Sequence, residues 1–224
     1  MSKMAYGKSI ELFLVNGSAD SLITAELSNW NGKAIKIPRI EVASCNRDDI
    51  TQAGVYFLFC KEDDGSDSVY IGEAENVKER LVQHLRDHQA EKEKYYWTTA
   101  VIFIGRDLNK ALIRYLENRF VEIARACKRY TVLTKNTYKN TVMKESQIAV
   151  MEEFVDNVKT LISALGYKVL EPLNKPVLQR NLLKGEYQKI KFPIILKMLI
   201  ILETFSCWKQ RLMRRRTIRI LTNG

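Results

Sequence analysis

Two apolar runs, residues 54–60 (GVYFLFC) and 68–72 (SVYIG), flank the acidic stretch EDDGSD, and no other feature restricts the possible folds of this chain as tightly. Short β-rich runs joined by a Gly- and Asp-containing turn read as a hairpin. A helix must follow at once. Asn76 is a good N-cap, Glu79 stands where a capping box needs it, and Val77, Leu81, Val82 and Leu85 recur at helical spacing as far as about residue 88. Residues 97–104 form another apolar run rich in β-branched residues, read as a strand. Asn109 then opens a long helix to about Cys127. A further helix is expected over 151–165, ended by Gly166 and followed by a short strand at 167–170.

The first forty residues add three extended segments, 9–15, 22–27 and 34–37, separated by Asn16-Gly17 and Asn31-Gly32. Asn-Gly is a strong tight-turn signal, so a small antiparallel meander is expected. The order of elements predicts an α+β fold: a small mixed β-sheet flanked by helices, with an N-terminal antiparallel β lobe. The boundaries drawn are 1–50 for the lobe, 51–173 for the central domain with its closing helix and strand, and 174–224 for a basic tail.

Charge sharpens the last boundary. The chain has 224 residues and a net charge of +10, but residues 1–173 hold 24 basic and 24 acidic side chains, whereas 174–224 hold 12 and 2. Bulk charge is therefore no argument that the first 173 residues attract phosphate; that must rest on where their charges sit. In the tail, Arg211, Arg214, Arg215 and Arg216 of RLMRRRTIR are candidate nucleic-acid contacts, with a membrane-surface anchor as the other reading. The apolar run FPIILKMLIILETF at 192–205 is interrupted by Lys197 and Glu203 and is shorter than the roughly 20 residues a spanning helix needs. Four scattered cysteines and two histidines make a structural zinc site improbable and fit a reducing, cytoplasmic setting. Nothing in the sequence fixes an oligomeric state.

Two places are chemically odd. On the helix after the hairpin, Arg80 and His84 fall some 40° apart at about 100° per residue, on the flank of the apolar face, which puts both at a groove edge. Tyr56 and Tyr70 stand on the two strands just before it, with Gly54 and Gly72 keeping the nearby backbone open; plain strand packing is the alternative for each tyrosine. The second oddity is Glu117. Leu112, Ile113, Leu116, Phe120, Val121 and Ala124 fill an arc of about 180° on the next helix, and Glu117 falls inside it. A carboxylate there must be paired, protonated or bound to a metal.

Taken together, Gly-Val-Tyr at 54–56, Tyr-Ile-Gly at 70–72, Asn76, Arg80-x-x-x-His84 and Glu117 resemble the signature of the GIY-YIG nuclease family in order and spacing. The resemblance implies the GIY-YIG fold and a metal-dependent endonuclease acting on DNA, with no stable small-molecule cofactor. By that likeness Glu117 would hold a single Mg²⁺ or Mn²⁺, and Arg80 would grip a phosphate oxygen. Tyr56 would take the proton of the attacking water as a phenolate whose pKa the cation has lowered, while Tyr70 and His84 position that water or share the base role. Which of the three is the base stays open. For the family's late asparagine, Asn136 is the choice by position and Asn118 the rival. Residues 7–39 and 151–173 also look like a bacterial and archaeal subfamily that often carries a further C-terminal domain. The tail has no counterpart to that domain, and a truncated or altered C-terminus would explain the break in composition. The rival reading is a non-catalytic module that binds nucleic acid or a partner through the same cleft, with Glu117 merely paired.

Overall fold

A computed structural model describes residues 7–62, 64–135 and 143–172. The expectations placed on Asn136, on the apolar run at 192–205 and on the tail arginines Arg211, Arg214, Arg215 and Arg216 lie outside these residues. Seven strands and three helices follow in order: β1 (Ile10–Leu14), β2 (Ile23–Leu27), β3 (Gly32–Pro38), β4 (Gly54–Lys61), β5 (Asp67–Ala74), α1 (Val77–Gln89), β6 (Trp97–Gly105), α2 (Lys110–Cys127), β7 (Thr131–Val132) and α3 (Glu145–Ala164). The fold is α+β, as expected, with one mixed sheet in the order β1-β2-β3-β6-β4-β5-β7. All neighbours are antiparallel except β5 and β7.

The near-continuous apolar run of β4 is the mark of a strand covered on both faces. Gly54 to Cys60 are all buried. Val55, Phe57 and Phe59 point into one core with Ile113, Leu116, Phe120 and Phe154 of α2 and α3; Tyr56, Leu58 and Cys60 point into the other with Val77 and Leu81 of α1 and with Trp97. α1 and α2 start on asparagine caps. Asn76 accepts from the Glu79 amide at 3.2 Å, and Asn109 accepts from Ala111 and Leu112.

The N-terminal strands do not stand apart as a lobe. β3 pairs with β6 from Gly32↔Gly105 to Pro38↔Thr99, so residues 10–38 extend the same sheet that carries the hairpin. The apolar alternation of β3 has a second use here, because both of its edges are hydrogen-bonded. Three smaller differences have local causes. α3 begins at Glu145, six residues before the expected start, since Glu145 to Val150 are exposed and supply no apolar stripe to read. The expected strand at 167–170 is a turn: Tyr167 stacks on Phe59 at 3.8 Å while Val169 and Leu170 are buried, so the apolar character serves packing rather than pairing. The two-residue β7 is too short to give an alternating signal.

Thr134, just beyond β7, continues the cover over the edge of β5. Its buried hydroxyl accepts from the Ile71 amide at 2.8 Å and donates to the Ile71 carbonyl at 2.7 Å. Among the described residues no further strand pairs with β5 beyond this point, and that is where the cleft opens. No helix of the described residues is long and apolar enough to cross a membrane. Thr134→Val keeps the shape but strands two buried backbone groups, and is expected to lower unfolding stability by about 1–3 kcal/mol, read as a fall in the urea midpoint.

Candidate active site

A cleft of about 530 Å³ lies at the uncovered end of β5, where α1 on one face of the sheet and α2 on the other both reach it. Tyr56, Tyr70, Glu73, Asn76, Arg80, Lys110 and Glu117 line it, so five of the residues singled out in the sequence meet in one place. His84 lies directly behind them.

The tyrosines are set by strand register. Tyr56 is paired with Gly72 and Leu58 with Tyr70, which puts both rings on the α1 side, with centroids 6.3 Å apart. Gly72 is required by this arrangement: a Cβ there would stand 2.6 Å from Cζ of Tyr56 and 2.9 Å from Cε1 of Tyr70. Gly54 does a different job. A Cβ on it would meet the Phe103 carbonyl at 2.6 Å, so it serves the close approach of β4 to β6 and not the openness of the cleft. One turn into α1, the Arg80 guanidinium engages both tyrosine hydroxyls.

The structure corrects the expected position of His84. It is fully buried rather than at a groove edge, because the tyrosine rings lie over it, edge to face at 5.6 and 5.2 Å. Both ring nitrogens have partners: Nε2 lies 2.9 Å from the Tyr56 hydroxyl and Nδ1 lies 2.6 Å from Oε1 of Glu93. Burial, together with the charges of Arg80 and Arg39, holds the imidazole down to about 3, so the ring is neutral at rest. Burial also pushes the Tyr56 hydroxyl well above its usual value, the reverse of the lowered pKa that a resting phenolate would need.

Glu117 sits inside the apolar arc of α2 as its spacing required, and is 5 % exposed. Its Oε2 is buried without a hydrogen-bond partner. Burial first, and then the neighbouring charge of Glu73, raise its carboxyl to about 7, against the opposing charges of Lys110, Arg114 and Arg80. Glu73 itself is paired: Lys110 is 2.9 Å from its Oε2 and Arg114 3.8 Å from its Oε1. Sequence reasoning missed Glu73, Lys110 and Glu93, although the first two bear directly on Glu117. Glu73 continues the alternation of β5 on the face toward α2, and that register could have found it; Glu93 lies in an irregular loop with no period to read.

Orphaned buried oxygens are rare, and they point to a group that completes them. A divalent cation fits Glu117 on donor chemistry, as a hard ion that prefers carboxylate oxygen. Among the described residues no cluster of three or more His, Cys, Asp or Glu forms a cage for it. Phosphate and water would then have to fill most of a coordination sphere there.

Fold and cleft together bring a guanidinium, two phenols and a buried carboxylate to the rim of a mixed sheet. Residues 52–131 match the GIY-YIG catalytic domain. The matched stretch contains Gly54, Tyr56, Tyr70, Gly72, Asn76, Arg80, His84 and Glu117, and ends before Asn136. No curated protein and no solved structure matches the chain significantly.

The raised carboxyl of Glu117 has a consequence for stability. Between about 4.5 and 7 the unfolded chain ionises this group while the folded chain keeps it protonated, so its contribution is full at low pH and is lost as pH rises through 7. Glu117→Gln removes that loss. In EDTA, the variant is expected to gain on the order of 1–3 kcal/mol over the parent between pH 4.5 and pH 8, measured by urea unfolding at both values.

Proposed function

We propose that this chain is an endonuclease that hydrolyses phosphodiester bonds in DNA with one Mg²⁺ or Mn²⁺ ion. The observation that carries the reading is the buried, unpartnered Oε2 of Glu117, placed in the same cleft as Arg80 and the two tyrosines. A pure binding surface gains nothing from a carboxylate facing phosphate.

Glu117 would hold the ion, and the ion when bound supplies positive charge at the scissile phosphate and the departing 3′ oxygen. Arg80 donates hydrogen bonds to a non-bridging oxygen and balances the extra charge of the pentacovalent transition state. Lys110 and Arg114 pair with Glu73 at the same end of the cleft and offset its charge there. Tyr56 would take the proton of the attacking water, and Tyr70 would help to position that water.

The charge balance of residues 1–173 leaves open how a polyanion is attracted, and the placement of three lysines supports one route. Tyr70 is shared between the catalytic cleft and a second recess of about 630 Å³, whose rim carries the exposed Lys92, Lys94 and Lys135. None of these three makes an ion pair among the described residues. Tyr95 stacks on Tyr70 at 5.5 Å and 14°, which presents an aromatic wall between the two recesses. The cut strand would run from Arg80 over Tyr70 into this basic recess.

Supercoiled plasmid and a branched oligonucleotide, incubated with Mg²⁺, with Mn²⁺ and with EDTA, test the reading. The parent is expected to nick in either metal and not in EDTA. Glu117→Gln is expected to lose cleavage, and Arg80→Ala about 10²–10³-fold of it. No cleavage of any substrate, with DNA binding unchanged by Glu117→Gln, would leave a binding module. Replacing Lys92, Lys94 and Lys135 together by Gln should weaken DNA binding and reduce the slope of log K against log salt by roughly 2–3, at about 0.9 for each phosphate that the lysines no longer neutralise.

A further inference from the structure

Glu93 stands behind the catalytic cleft, in the loop between α1 and β6 and on the wall of the basic recess, where it meets the far side of His84. Its Oε1 lies 2.6 Å from Nδ1 of that ring. A carboxylate can only accept, so Nδ1 carries the proton. A neutral imidazole then has a bare Nε2, and the Tyr56 hydroxyl, 2.9 Å away, must donate to it. One hydrogen-bond chain therefore runs from Glu93 through His84 to Tyr56, and it reaches the cleft at a phenol oxygen that also accepts from Arg80.

We propose that Glu93 is a positioning residue for hydrolysis, fixing His84 in the tautomer that lets it take the proton of Tyr56 while Tyr56 takes that of the attacking water. This rests on the nuclease reading above. The water's proton moves to the Tyr56 oxygen and the phenol's own proton to Nε2. The new P–O bond forms as the P–O3′ bond breaks. The leaving oxygen takes a proton from solvent, and the imidazolium later returns one to solvent. No resting phenolate is needed, which accords with a tyrosine whose burial opposes ionisation.

The surroundings explain why a carboxylate is needed. Arg80 of α1 and Arg39, which stacks over Tyr96 and Trp97 on the same side of the sheet, both oppose a positive charge on the ring, as burial does. Tyr56 and Tyr70 face it as neutral phenols. Glu93 is the acidic side chain in contact with the ring among the described residues. A phosphate drawn to Arg80 would offset one of the two cations, so His84 becomes a competent base when substrate is present. This geometry also answers which of the three candidates is the terminal proton acceptor: His84, through Tyr56.

The chain has two histidines, so imidazole nitrogens can be read without ambiguity in a ¹⁵N-histidine spectrum, with His88→Asn to assign them. The parent is expected to show His84 protonated at Nδ1 and bare at Nε2. Glu93→Ala should abolish that tautomer preference, and both Glu93→Ala and Glu93→Gln should lower kcat about 10²-fold or more with KM within about twofold. A parent spectrum with the proton on Nε2 would overturn the proposal. So would a parent that cuts while both variants, folded by circular dichroism, cut with unchanged kcat; here the nuclease reading survives and the relay does not. A parent that cuts nothing overturns both.

Discussion

Tyr56 lies directly across the hairpin from Gly72, and the cleft is arranged around the space which that missing side chain leaves. The pairing turns the ring toward α1, where Arg80 and His84, four residues apart on one helix, reach its hydroxyl from two sides. A single cross-strand register thus decides where the helix must put its cation and its imidazole. A slip of β5 by one residue against β4 would carry Tyr70 to the other face, among Phe57, Phe103 and Phe120, and separate the two tyrosines.

The remaining group comes from the opposite side of the sheet. α2 packs on the Phe57 face, yet Glu117 enters the same cleft because, among the described residues, β5 has no strand beside it past Ile71, where the hydroxyl of Thr134 bonds to its edge. The site therefore sits at the one place where elements on both faces can meet without crossing the sheet. It is also where a buried carboxyl has one oxygen without a hydrogen-bond partner. A carboxyl raised to about 7 by burial and by Glu73 works against the folded state at neutral pH, and the two apolar layers on either side of β4 hold it in place. Such local conflict between stability and placement is expected where a protein holds ready a site for something it has yet to bind.

Much of this could be read from the residues in advance, and the limits have physical causes. The hairpin, the capped helices and the anomalous place of Glu117 follow from local periodicity, which one sequence displays fully. Burial depth does not. Helical angle placed His84 beside Arg80 on the flank of α1, but only the tyrosine rings lying over it, from another element, make it buried. Glu93 has no period at all, and its contact depends on how a loop closes on α1. Short segments failed for another reason: residues 167–170 carry the apolar signature of a strand, but that surface is spent on packing, with Tyr167 stacked on Phe59.

The pairing of β3 with β6 separates two things that are easily taken as one. The stretch that matches the GIY-YIG domain begins at residue 52, whereas the sheet it belongs to begins at Ile10. Cut at the family boundary, the chain would keep every described residue of the cleft and yet leave β6, buried on both faces, with a bare hydrogen-bonding edge from Thr99 to Gly105. An unprotected apolar edge of that length invites another strand. The matched stretch is therefore smaller than the sheet that holds it, and residues 32–38 cover the edge of β6 that it would otherwise leave bare.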